Sequence, residues 1–99
     1  MTEAPALLTD IEFISLGKGD KIVFEKVYRL TIDLVYFTAN RCGASHQESQ
    51  EVAQDVYLKL FDEAANLDNK YGIKKWLVVT TRNRIIDLKR MKKNQDQEP

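Results

Sequence analysis

The segment from Ile22 to Asn40 contains neither Gly nor Pro, and its apolar residues recur at helical spacing. Phe24, Val27, Tyr28, Thr31, Leu34 and Val35 share a broad stripe, widened by Ile32, Tyr36 and Ala39. Such a run constrains the chain to a core helix with apolar residues on more than one side. Gly and Pro number 4 and 2 in the whole chain of 99 residues, so helix breakers are scarce and sit between periodic segments. Gly17-Lys18-Gly19-Asp20 separates this helix from a short apolar run, Leu7 to Leu16, for which Thr9 or Asp10 can cap. Gly43 supplies the left-handed residue that closes many helices.

The next helix start is the strongest local signal. Ser45-His46-Gln47-Glu48 matches a capping box. Val52, Val56, Leu60 and Ala64 then descend at four-residue steps, with Ala53, Tyr57 and Phe61 beside them. The segment from Asn66 to Gly72 reads as a loop. A last helix is predicted from about Ile73 to Lys93. Its weak point is Val78-Val79-Thr80-Thr81, a β-branched run that lowers helix propensity. Ile73, Leu77, Thr81, Ile85 and Leu88 nevertheless keep the helical period, and no second strand exists to pair with. The expected architecture is all-α: a bundle of three long helices plus a short N-terminal helix over residues 1–93, with a polar tail at 94–99. Trp76, Phe24, Tyr28, Leu34, Val56, Leu60, Phe61, Leu77 and Ile85 are the main core candidates. At this length one core is expected.

The formal net charge is zero, but the charges are sorted. Residues 1–69 carry 6 basic and 12 acidic side chains, whereas residues 70–93 carry 9 basic side chains against Asp87 alone. A chain polarised in this way presents a basic face suited to a polyanion. The last helix also brings aromatic and amide groups, with Tyr71 and Trp76 near its start and Asn83 between Arg82 and Arg84. Cations position a phosphate backbone, rings stack on unpaired bases, and an amide holds a base edge. Single-stranded or partly melted nucleic acid fits this combination. On the acidic helix, Gln50, Gln54, Asp55, Lys59 and Asp62 form a polar face for a second partner, with Val52 or Tyr57 at its rim.

Catalytic chemistry is poorly supplied. Cys42 and His46 are too few for a tetrahedral zinc site, and nothing orients the imidazole to activate the thiol. Glu51 and Asp55 share a helix face without a pocket signal. Gly17-Lys18-Gly19-Asp20 lacks the ending of a phosphate-binding loop. Neither an enzyme, nor a metal, nor a cofactor is expected. One cysteine, no evident secretory signal and no apolar run of membrane-spanning length point to a reducing cytoplasmic setting without membrane insertion.

Three segments together carry a family resemblance. Gly19-Asp20 with Phe24 and Tyr28, the stretch from Glu48 to Phe61, and the stretch from Trp76 to Arg90 resemble region 2 of bacterial RNA polymerase sigma factors, in particular the extracytoplasmic-function group. In the second stretch Gln54, Asp55 and the aromatic Tyr57 match the pattern, and Ser49, Gln50 and Glu51 are softer equivalents. In the third, Trp76, Leu77, Asn83, Asp87 and Arg90 fall at the family spacing, while Thr80 and Thr81 depart from its usual Ile-Ala.

The resemblance covers about residues 16–93 and implies specific roles. Gln50, Glu51, Gln54, Asp55 and Lys59 would dock on the clamp helices of the polymerase β′ subunit. Tyr71, Trp76 and Asn83 would engage bases of the promoter −10 element on the non-template strand. Lys74, Lys75, Arg82, Arg84, Lys89 and Arg90 would contact its backbone, with Asp87 ordering the neighbouring arginines. An anti-sigma protein is a further implied partner, and the isolated domain is expected to bind DNA weakly. No segment matches the family's second, helix-turn-helix domain, and the end from Lys92 to Pro99 resembles the start of an interdomain linker. A shortened chain is the simplest expectation, a naturally single-domain or two-protein sigma factor the alternative. The competing functional expectation is a protein-binding helical regulator without sequence-specific DNA recognition.

Overall fold

Four side-chain caps set the helix starts in this molecule. The computed structural model describes residues 6–96, the side chains of 94–96 excepted. Helix α1 (Asp10–Gly17) begins at Thr9, whose hydroxyl accepts from the Glu12 amide while the Glu12 carboxylate accepts from the Thr9 amide. Helix α2 (Lys21–Arg41) begins at Asp20, whose Oδ1 accepts from the amides of Ile22 and Val23. Helix α3 (His46–Glu63) begins with the expected box between Ser45 and Glu48. Each satisfies amide groups that a helix start leaves without partners. Gly19 and Gly43 adopt φ of 86° and 87°, which side chains with a Cβ rarely tolerate, and let the chain turn between helices.

The segment expected as plain loop is more ordered than that. It contains two 3-10 turns, Ala64–Asn66 and Lys70–Gly72, the second opened by Asn69, whose Oδ1 accepts from the Tyr71 amide at 2.9 Å. The Lys70–Asp10 ion pair at 2.9 Å ties this turn to α1. Helix α4 (Ile73–Asp96) then runs without interruption through the β-branched run and past the expected end at Lys93. Tertiary packing overrides propensity there, because Leu77 and Thr81 are fully buried against the other helices.

Helices α2, α3 and α4 pack pairwise around one core, and α1 closes it against α2 and the turn after α3. The inward stripe of α2 is Val23, Val27, Thr31 and Val35, that of α3 is Val52, Val56 and Leu60, and that of α4 is Ile73, Leu77, Thr81 and Ile85. Each fully buried large aliphatic contributes roughly 1.5–3 kcal/mol of transfer free energy. The all-α architecture with three long helices and one short one matches the sequence reading.

The core membership needs correction, because of the nine candidates only Val56, Leu60, Leu77 and Ile85 lie in the buried core. Tyr28 and Phe61 are exposed, and Phe24, Leu34 and Trp76 are half-buried. The rings of Tyr28 and Phe61 lie at the edge of an aromatic cluster, 4.8 Å from Tyr57 and 5.2 Å from Phe24. The narrow stripe at four-residue steps takes the centre, and the bulkier rings seal the groove between α2 and α3. Beneath them Tyr57 O–H donates to the Thr31 hydroxyl, which in turn donates to the Val27 carbonyl, both at 2.6 Å. Burial pushes the Tyr57 phenol up to about 12.

Candidate nucleic-acid and partner interface

Because Ile73, Leu77, Thr81 and Ile85 turn inward, the 3.6-residue period forces Lys75, Val79, Arg82, Asn83, Ile86 and Arg90 outward. All six are exposed. They form one ridge along α4 in which cations, an amide and two apolar side chains alternate. Lys74 and Tyr71 are also exposed. Tyr71 has the Lys70 ammonium 5.4 Å from its ring centre.

Two recesses flank the ridge. One, of about 420 Å³, lies between the turn preceding α4 and its first turns, lined by Leu67, Asp68, Asn69, Gly72, Lys75, Trp76, Val79 and Thr80. Trp76 packs on the core and lines this recess at once. The other, of about 310 Å³, lies between α3 and α4 and includes Asp55, Lys59, Thr80, Asn83, Arg84 and Asp87. Trp76 and Asn83 therefore face different recesses, which share Thr80. Val79 and Thr80 were not singled out in the sequence as lining a site. Val79 had a signal there, an apolar residue on the outward side of the helical wheel.

Not every expected backbone-contacting cation is free. Arg84 donates to Asp55, and Lys89 donates to Glu48 at 3.4 Å. Asp55, rather than Asp87, orders Arg84. Lys92 joins Lys89 on the Glu48 carboxylate, which is only 6% exposed. Those lysines and the Ser45 amide hold the Glu48 carboxyl down at about 2, well under its ordinary 4.5, with the Lys92 hydrogen bond the largest cause. Lys74, Lys75, Arg82 and Arg90 make no ion pair among the described residues.

On α3, Gln50, Glu51, Gln54, Asp55 and Lys59 are all exposed. Gln50 and Gln54 border a recess against α2, whereas Asp55 and Lys59 border the one against α4. Val52 does not reach the rim, being buried in the inward stripe, whereas Tyr57, though largely buried, lines the recess that Gln50 and Gln54 border. Leu58, 62% exposed, is the apolar residue of this face. Cys42 is half-buried, and the exposed His46 ring lies 3.3 Å from the Gln50 amide. Among the described residues no group of three His, Cys, Asp or Glu side chains is placed to hold a metal ion. Among them, too, no helix is long and apolar enough to cross a membrane.

The described residues thus form an all-α domain with a polar α3 face and a cationic, amide-bearing α4 ridge. The sigma-70 region 2 family model matches residues 27–95, and the chain belongs to that family. No curated protein and no solved structure matches it. A region 2 domain is a transcription-initiation module that binds RNA polymerase and recognises promoter DNA, and is not an enzyme.

Proposed function

We propose that this domain works in the manner of an extracytoplasmic-function sigma factor. The α3 face, with Gln50, Glu51, Gln54, Asp55 and Lys59 around Leu58, docks on the β′ clamp helices. The α4 ridge then takes the non-template strand of the −10 element in the cytoplasm. Lys74, Lys75, Arg82 and Arg90 meet phosphates, Asn83 meets a base edge, and a base that has left the stack enters the recess beside Trp76. An anti-sigma protein that silences the factor covers these same faces. The observation that carries this reading is the ridge itself, with Asn83 exposed among unpaired cations and a base-sized recess one turn away.

The test compares polymerase holoenzyme binding to a −10 non-template single strand and to a scrambled strand of equal length. Preference for the first, lost in Asn83→Ala, supports the reading. Equal binding to both strands favours a protein-binding regulator instead. Salt dependence alone does not separate the two, because any cationic helix shows it.

A further inference from the structure

We propose that the groove between α2 and α4 is a second nucleotide subsite, one that adds α2 to the path of the same DNA strand. The inference rests on the single-strand reading above. The groove has a volume of about 260 Å³, with Leu34, Cys42 and Val78 along it and Phe37, Arg41 and Arg82 as its polar and aromatic rim. Phe37 is 60% exposed, an unusual place for a phenyl ring. The Arg41 guanidinium lies 5.7 Å from that ring's centre. Among the described residues neither Arg41 nor Arg82 has a carboxylate partner.

An open phenyl ring, two unpaired guanidinium groups from different helices and an apolar lining suit a nucleotide. The phosphate meets the arginines and the base stacks on Phe37. Acidic peptide would satisfy the cations but leave the ring and the groove unused. Continuity supports the same strand as occupant. Arg82 belongs both to the outward ridge of α4 and to this groove, and Val78 adjoins Val79, which lines the recess beside Trp76. A strand crossing the ridge at Val79 therefore has a recess on either side.

The test uses holoenzyme and a fluorescently labelled −10 non-template strand. Phe37→Leu and Arg41→Ala are each expected to weaken strand binding roughly 5-fold or more, the lower bound for loss of one stacked base or one charged contact. Binding to the polymerase core should stay unchanged. Cys42 is the single cysteine of the chain, so its alkylation, read by peptide mass, reports on the groove directly and should slow when the strand saturates. Wild-type strand affinity in both variants while Asn83→Ala loses binding, or unchanged Cys42 alkylation at saturation, overturns the subsite but spares the α4 reading. Loss of core binding in Phe37→Leu also overturns it, by making the groove a protein contact. An Asn83→Ala variant that binds the strand normally removes the reading beneath it. Should Arg41→Ala prove unstable, Phe37→Leu and the alkylation readout decide.

Discussion

Arg84 of α4 donates from Nε and Nη2 to a single oxygen of Asp55 on α3, at 3.2 and 3.0 Å. Arg84 is one of the backbone-contacting cations expected from the sequence, and Asp55 belongs to the proposed polymerase-docking set. Any partner that draws Asp55 away releases the Arg84 guanidinium, so the two faces share one charge. Both side chains are 40–49% exposed, and a pair in that setting stabilises the fold by only about 0.2–1 kcal/mol. A double-mutant cycle with Asp55→Ala and Arg84→Ala should therefore show coupling below about 1 kcal/mol in urea unfolding. The same cycle, read as strand affinity of the holoenzyme, should be non-additive. Strict additivity there would separate the two faces.

Glu48 should give the acid limb of stability a distinctive shape. Its carboxyl sits at about 2 in the folded chain against an ordinary 4.5. A depressed acid stabilises the fold fully above the unfolded value, and that stabilisation is lost as pH falls from about 4.5 towards 2. Glu48→Gln retains the capping-box geometry but cannot pair with Lys89 and Lys92. Wild type and Glu48→Gln should differ in thermal midpoint near pH 6 and converge near pH 2. A gap that persists unchanged at low pH would show that the substitution acts through packing.

The fully buried hydroxyl of Thr81 has no hydrogen-bond partner among the described residues. An unsatisfied buried hydroxyl costs about 1–3 kcal/mol. Thr81→Val keeps the shape, removes the polar atom and should raise stability by about 1 kcal/mol or more. At this chain length that corresponds to several degrees in the thermal midpoint. A lower midpoint in Thr81→Val would mean that the hydroxyl is satisfied in solution.

The helix starts were legible because their signals are local, whereas the end of α4 and the turns before it were not. Thr9, Asp20 and Ser45 are caps that a reader finds without knowing the fold. The outward position of Asn83 followed from the period of α4. The fate of each cation was not legible, because Asp55 and Arg84 are 29 residues apart and Glu48 and Lys92 are 44 apart. Residue type likewise could not show that Tyr28 and Phe61 seal a groove rather than fill the core. That depends on how closely α2 and α3 approach, which residue type alone does not state. Phe37 and Arg41 escaped notice for a similar reason, since only the packing of α2 on α4 makes a groove of them.

Lys89 and Arg90 are sequence neighbours that should behave differently. Lys89 reaches back to Glu48, while Arg90 stands on the outward ridge without an ion pair among the described residues. Neutralising a cation that meets a phosphate lowers the salt slope of binding by about 0.7 for a single strand. Arg90→Ala should produce that change with little effect on the midpoint of unfolding. Lys89→Ala should instead lower acid-sensitive stability, through Glu48, with a smaller change in slope. The measurement is holoenzyme affinity for the −10 strand at several salt concentrations, beside thermal melts of both variants. Equal slope changes would mean that Lys89 leaves Glu48 when DNA arrives, and that Lys92 alone keeps the carboxylate paired.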